Sequence, residues 1–392
     1  MTKKKVASLL KQIPDELLDK LGEAHDVDYQ VSRLYGHLMF KLLLFGMLRS
    51  NRLSTHLLEK FYNSPLFSAL SGKGGHETRH SSIAGRLSTL PYQYFEDIYE
   101  WMVEHFGSQL KVRPKWLEKL ERFDSTMVAI GGGLVDWGMQ VGAKPKEGHP
   151  KVQLKISLGL RGWLPCSVKL FLEQKALSEE HALKQAIVEA TRRSKDFIAF
   201  DQGLKKRESL HEFDQGDIRF VTRCQLNVRY QKLETYRHIK GRKSKGLRFI
   251  QDSKVYLYTS GENLFEKMPL RLIETEVLET GERLIFLTNL WELSAMQIAE
   301  IYRHRWDIEV FFRFLKQELN IKHLINRTFN GIMIQIYAAL MAAILLIVFK
   351  KANKISSYKG AKVLFEDQLL LSIFKELEKI PPPERKLLGM EF

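Results

Sequence analysis

Between Tyr302 and Lys316 the chain reads Tyr-Arg-His-Arg-Trp-Asp-Ile-Glu-Val-Phe-Phe-Arg-Phe-Leu-Lys, and four of its polar residues recur at helical spacing. At about 100° per residue, Tyr302, Arg305, Glu309 and Lys316 fall within roughly a 60° arc of one helix face. Ile308, Val310, Phe311, Phe314 and Leu315 take the other side, so the helix can bury an apolar face while presenting a tyrosine, two cations and a carboxylate together. Such a stripe suits a phosphodiester backbone. Taken alone, a carboxylate among cations reads equally well as a surface ion pair, which contributes little to stability.

Two further carboxylates shift the balance. Asp124 lies inside the apolar run Phe123 to Ile130, and Asp201 ends the apolar run Phe197 to Phe200. Both are strand positions where an unpaired carboxylate is costly to bury, so each calls for a partner. Hard divalent cations such as Mg²⁺ take oxygen ligands, and two of them bridged by Asp and Glu side chains activate the attacking oxygen and stabilise the leaving oxygen of a phosphoryl transfer. Asp124, Asp201 and Glu309, from two strands and a helix, would suffice.

The elements that must position these groups follow from periodicity. From Asp15 to Phe106 the pattern is helical, with polar breaks such as Ser71 to Gly75. Within it, Ser81 to Ser88 reads either as a short helix offering Arg86 to DNA or as an ordinary surface helix. Phe123 to Ile130, Val152 to Leu160 and Cys166 to Leu172 read as strands, Glu179 to Arg192 as a helix, and Phe197 to Phe200 as a buried strand, giving the order β-β-β-α-β. Residues 205–289 form a β-rich block with strands at Ile218 to Cys224, Lys254 to Tyr258, Leu270 to Val277 and Leu284 to Thr288. Its loop Lys240 to Gly246 holds four cations in seven residues. Arg242, Lys243 and Lys245 there suit phosphate contact, or else mark a solvated hairpin tip. The chain is helical again from Ser294. The expected division is a helical DNA-binding domain over 1–112, an α/β core over 113–204 and 290–360, a β-rich insertion over 205–289, and a helical tail over 361–392 that ends near Pro381-Pro382-Pro383.

Composition bounds the partners. Over 392 residues, 61 Lys and Arg stand against 46 Asp and Glu, a formal net charge of +15 that favours a phosphate-rich partner. Cys166 and Cys224 are too few and too far apart for a disulfide framework or a four-cysteine zinc site, and a reducing cytosol fits them. The start, Met1 to Lys5, is charged and runs into a mixed stretch, so no secretion signal is read and a cytoplasmic location is expected. Ile332 to Phe349 approaches the length of a membrane span, but it follows a strongly charged helix and stands alone. It is therefore expected as a buried helix of the α/β core, with no membrane involved.

The spacing Tyr302-(2)-Arg305-(3)-Glu309-(6)-Lys316 resembles the Tyr-Arg-Glu-Lys signature of the fourth insertion-sequence family of DDE transposases. Asp124-Ser125-Thr126 and Asp201-Gln202-Gly203 resemble that family's two aspartate motifs. The resemblance covers roughly Phe123 to Phe349. It implies an RNase H-like mixed-sheet core with a β-rich insertion between the second aspartate and the glutamate, where composition also places one. It further implies Mg²⁺ or Mn²⁺, two ions, held by Asp124, Asp201 and Glu309, with Tyr302, Arg305 and Lys316 holding phosphates. Its implied partners are the element's terminal inverted repeats and target DNA, bound as a homodimer. The implied activity is cleavage at the element's ends and joining of the freed 3′ ends to target DNA, often through a hairpin. Gln202 departs from the arginine common in relatives, and Leu284 to Thr288 lacks the tryptophan that some relatives stack on a flipped base. Trp291 and Phe286 are the nearby aromatics, and each reads more readily as core.

Two other classes compete. A transposase-derived protein that binds DNA without cutting it would keep the charge but not need the carboxylates. His76-Glu77-Thr78-Arg79-His80 matches H-E-x-x-H, the zinc metalloprotease pattern, yet it follows a glycine-rich loop and carries almost no apolar residue from which to build the buried helix such a site requires.

Overall fold

The computed structural model describes residues 5–72, 76–112, 114–130, 138–141, 151–190, 196–259 and 263–379. The helices are α1 (Val6–Leu10), α2 (Asp15–Ala24), α3 (Gly36–Arg49), α4 (Thr55–Tyr62), α5 (Pro65–Ser71), α6 (His80–Thr89), α7 (Tyr92–Gln109), α8 (Glu179–Glu189), α9 (Arg207–Gln215), α10 (Ala295–Arg303), α11 (Trp306–Glu318), α12 (Phe329–Ala352) and α13 (Tyr358–Lys379). The strands are β1 (Leu120–Ile130), β2 (Met139–Val141), β3 (Lys151–Arg161), β4 (Leu164–Phe171), β5 (Phe197–Phe200), β6 (Arg219–Cys224), β7 (Tyr230–Thr235), β8 (Lys243–Ser244), β9 (Leu247–Tyr258), β10 (Leu264–Val277) and β11 (Arg283–Thr288). They divide into two compact units, Met1–Lys111 with Phe312–Phe392, and Val112–Phe311.

The first unit is helical. At its centre runs α12, whose Ile332 to Phe349 stretch is buried throughout. A helix apolar around its whole circumference needs neighbours on every side. It finds them in α3, α6, α7 and α13, with α1 at its edge. Gln335, a polar residue inside that stretch, is satisfied locally: its amide donates to the carbonyls of Asn320 (3.1 Å) and His323 (2.7 Å), and its oxygen accepts from the Ile325 amide (2.8 Å). Sequence patterning expects this helix in the α/β core; in the structure it groups with the helical unit, whose helices cover it. The two units meet along the chain between Lys111 and Val112 and, within α11, between Phe311 and Phe312.

The second unit is built on one mixed sheet of order β2-β3-β1-β5-β6-β11-β10-β9-β7, with β4 on the same edge of β3 as β2 and β8 paired to β9. β4, β3 and β1 are antiparallel neighbours, whereas β1, β5 and β6 run parallel. This order is consistent with an RNase H-like core. β5 is four residues long and wholly buried, as expected of a parallel strand covered on both faces. Its side chains alternate between two cores. Ile198 and Phe200 join Leu183 and Ile187 of α8 and Leu210 and Phe213 of α9, while Phe197 and Ala199 join Ile298 and Ile301 of α10.

The strands expected in residues 205–289 do form, but they do not make a separate block. β6 pairs in parallel with β5, and β11, β10, β9 and β7 continue the same sheet antiparallel from β6. Inside this extension Arg271 and Asp252, neither exposed, form a two-pronged pair with Nε to Oδ1 at 2.9 Å and Nη2 to Oδ2 at 2.7 Å. Arg271 Nη1 also donates to the carbonyls of Leu290 (3.0 Å) and Leu293 (2.6 Å), tying the extension to the loop that starts α10. That start is capped reciprocally: the Ser294 hydroxyl accepts from the Gln297 amide, and the Gln297 side chain accepts from the Ser294 amide.

Candidate active site

Strand parity puts the two aspartates together. In the parallel β1–β5 register Leu120 faces Phe197 and Arg122 faces Ala199. Two residues further on, Asp124 and Asp201 come level, on the face whose core α10 covers, because side chains two apart share a face. Gly203, two residues past Asp201, lets Glu179 of α8 pack close, since a Cβ there would meet Glu179 Cγ at 2.7 Å. Glu179 in turn accepts from Lys155 Nζ at 3.0 Å.

The Tyr302–Glu309 stretch meets this face. The Tyr302 hydroxyl donates to Asp201 Oδ1 at 3.0 Å, and its ring packs on Phe286 of β11 with centroids 5.2 Å apart. Burial is the main cause that pushes the Tyr302 pKa up, with the Asp201 charge adding to it, so the phenol stays a donor. Arg305 is buried at 7% exposure, donates Nη2 to Glu309 Oε1, and has no hydrogen-bond partner for its buried Nε among the described residues. Burial opposes the Arg305 charge, but Glu309, Tyr302 and Asp201 outweigh it and raise its pKa. For Asp124, burial dominates and lifts the carboxyl to about 6. The Ser125 amide (2.8 Å to Oδ1) and Arg305 pull the other way, and the charges of Glu179 and Glu309 push it further up. Arg305 thus interacts electrostatically with all three acids, and the Glu309 charge also reaches Asp124.

A residue missed in the sequence fixes the helix that carries Glu309. Arg122 is fully buried on the same face of β1 as Asp124, donating Nε to the Leu160 carbonyl (3.0 Å), Nη2 to the Gly162 carbonyl and Nη1 to Asp307 Oδ2 (2.9 Å). Asp307 sits two residues before Glu309 and shares that oxygen with His304 Nδ1 at 2.9 Å. Burial works against its charge, but His304 and Arg122 prevail and lower its pKa. A cation at every-other spacing from Asp124 in an apolar strand was the available signal, since a buried arginine must find partners.

The remaining candidates disperse. Lys316 lies about two turns beyond Glu309 on α11, its Nζ 5.9 Å from the Phe312 ring centroid. Arg242, Lys243 and Lys245 are exposed at the β8–β9 hairpin, where Lys245 also pairs with Glu300 of α10. Arg86 does not face outward as expected. Its guanidinium donates to the carbonyls of Leu34 (2.9 Å) and Val27 (2.6 Å) and to Asp28 Oδ1 (3.1 Å), with the side chain 11% exposed. Those three bonds engage its Nε and Nη2 in holding the helical unit together. Phe286 is core, and the Trp291 ring stacks edgewise on Tyr236 at 5.1 Å. The H-E-x-x-H reading fails on geometry, because α6 begins at His80 and residues 76–79 are not helical.

Three carboxylates are the oxygen donor set that Mg²⁺ or Mn²⁺ prefers, and a cation beside Asp124 would offset the burial that lifts its pKa by favouring the ionised carboxylate. In donor type the three residues therefore suit divalent ions, with their carboxylate oxygens not all within 4.8 Å of one another in this structure. The fit needs two exchanges: Asp201 is engaged by Tyr302 and Glu309 by Arg305, and both bonds have to yield or share.

The mixed sheet thus carries one acid within β1, a second just past the end of its parallel neighbour β5, and a third on a helix anchored to the same face. The chain belongs to the transposase DDE domain family, whose model matches residues 123–345, more than half of the chain and inclusive of all three acids. It is 31% identical over 169 residues to the y4zB protein of Sinorhizobium fredii, which carries a transposase name, covering 42% of this chain and 46% of that one. It is 23% identical over 267 residues to a Geobacillus stearothermophilus protein named as a transposase for insertion sequence element IS5377, covering 68% and 66%. A Synechocystis protein named as a transposase for element IS4SA is 24% identical over 224 residues, covering 57% and 58%. The matches thus span about half to two thirds of the length of these relatives.

Proposed function

We propose that this chain is the transposase of an insertion sequence of the fourth family, acting on DNA through Asp124, Asp201 and Glu309. In this reading it binds the element's terminal inverted repeats as a homodimer, cuts the strands at the ends and joins the 3′ ends to target DNA. The observation that carries it is the convergence of the two aspartates and Glu309 around Arg305 on one face of the sheet. Asp124, Asp201 and Glu309 would hold two Mg²⁺ or Mn²⁺ ions. When bound, these supply charge neutralisation at the scissile phosphate and a lowered pKa for an attacking water or hydroxyl.

The chain's own residues do the rest. Arg305 presents a buried Nε with no partner among the described residues beside the Nη2 that holds Glu309, so a phosphate oxygen can take the open donor and turn the guanidinium into a two-pronged clamp. Tyr302 keeps its proton and can pass its hydrogen bond from Asp201 to a phosphate oxygen. Arg122, through Asp307, holds α11 so that Glu309 keeps its place as these bonds are exchanged. Lys316 and the exposed cations Arg242, Lys243 and Lys245 extend phosphate contact along the strand.

The test is strand cleavage on a duplex that carries the element's end. Asp124→Ala, Asp201→Ala and Glu309→Ala are each expected to abolish Mg²⁺-dependent nicking while leaving most DNA affinity, which is spread over many cations. Nicking retained in Glu309→Ala would overturn the assignment. Binding without cleavage by the unaltered chain, on its own ends with Mg²⁺ or Mn²⁺, would favour the non-catalytic alternative.

A further inference from the structure

A second group of ligating side chains lies in the helical unit. His56 and Glu59 stand one turn apart on α4, and His80 is the first residue of α6. Their ligand atoms all lie within 4.8 Å of one another. Glu59 Oε2 accepts from the His80 backbone amide at 2.8 Å and meets His80 Nδ1 at 3.0 Å, while the rings of His56 and His80 lie 3.8 Å apart between centroids. The approach of α6 is fixed independently. Asn63, at the end of α4, accepts from the Thr78 amide (3.0 Å) and donates to the Thr78 carbonyl (2.9 Å), and Thr78 is buried.

We propose that His56, Glu59 and His80 form a binding site for one divalent transition-metal ion of the Zn²⁺ class, stapling α4 to the first turn of α6. Two imidazoles and one carboxylate are a mixed nitrogen and oxygen set, which suits Zn²⁺ or Co²⁺ and does not suit Mg²⁺ or Ca²⁺. Three protein ligands leave a fourth position for water, and the side chains of His80 and Glu59 are 44% and 30% exposed, so solvent reaches it. Bonds of about 2.0–2.1 Å at tetrahedral angles require ligand atoms about 3.4 Å apart, so the His80–Glu59 pair opens by only a few tenths of an ångström. The bond from the His80 amide to Glu59 then orients the carboxylate as an outer partner. Of the H-E-x-x-H motif only His80 takes part, and its partners come from α4 instead. The site stands whether or not the proposed DNA chemistry does.

The experiment uses the full, untagged chain stripped of metal and titrated with Co²⁺ while the visible absorption is followed, then back-titrated with Zn²⁺. The expected result is one Co²⁺ per chain with the intense visible band of a four-coordinate nitrogen-containing site, displaced by Zn²⁺, with a Zn²⁺-dependent rise in the unfolding temperature. His80→Ala and Glu59→Gln are expected to weaken binding by about tenfold or more. His56→Ala carries the most weight, because His56 is exposed and its loss leaves the His80–Glu59 bonds intact, so the fold persists. Repeating the titration in the Asp124→Ala, Glu309→Ala chain separates this site from the sheet carboxylates, and unchanged binding is expected there. Absence of the band in the unaltered chain, or the same affinity in His56→Ala as in the parent, would overturn the proposal.

Discussion

Replacing Asp124 by asparagine is expected to stabilise the metal-free protein at neutral pH, although it removes a residue central to the proposed chemistry. In the folded chain burial raises the Asp124 pKa from 3.8 to about 6. Folding therefore favours the protonated acid. Below about pH 4 both folded and unfolded chains carry the proton, and this residue costs nothing. As pH rises toward 6 the unfolded chain releases it first, and stability falls by 1.36 kcal/mol per unit of difference, about 3 kcal/mol in all once the folded pKa is passed. Asparagine never ionises, so Asp124→Asn escapes that loss. Urea unfolding of both proteins in chelator, at about one-unit steps from pH 4 to pH 8, measures the gap between them. It should open between about pH 4 and 6 in favour of the variant and stay level above. Adding Mg²⁺ at pH 7 should then stabilise the parent far more than the variant. Two stability curves that run parallel across this range would show that Asp124 is not a strained acid, and the electrostatic argument for a cation at that position would fail.

Two further predictions concern residues that position the site. Arg271→Leu strands Asp252 as a buried charge and frees the carbonyls of Leu290 and Leu293; it should cost about 3–5 kcal/mol in denaturant unfolding, with part recovered when Asp252 is also made apolar. An effect near zero would mean that the sheet extension does not depend on this pair. Arg86→Ala should destabilise the chain by about 1–3 kcal/mol yet leave the salt dependence of DNA binding unchanged, whereas a slope reduced by about one would restore a phosphate contact to Arg86.

What the sequence shows and what it hides differ by range. Asp124 and Asp201 stand out because a carboxylate inside or at the end of an apolar run is locally anomalous, and the Tyr302 to Lys316 stripe stands out because helical spacing is a local property. Most strands are legible for the same reason, from Phe123 to Ile130 through Leu284 to Thr288. β7 is not, since Tyr230–Thr235 is largely exposed at the sheet edge and carries no alternation of apolar and polar residues. Pairing is nonlocal, so nothing in residues 205–289 announces that β6 lies beside β5 and that the later strands extend one sheet. Arg86 reads as a surface cation until the carbonyls of Val27 and Leu34 are seen around it, more than fifty residues away in the chain. The all-apolar character of α12 declares burial, but not which unit supplies its neighbours.

The most direct measurement is the anomalous scattering of Mn²⁺ in crystals of the chain bound to a duplex ending in the element's terminal repeat. The account predicts manganese density within coordination distance of Asp124, Asp201 and Glu309, beside the scissile phosphate, with Arg305 turned to that phosphate. Density that involves the two aspartates but leaves Glu309 on Arg305 and away from the ion, or no density at the sheet face at all, would contradict it.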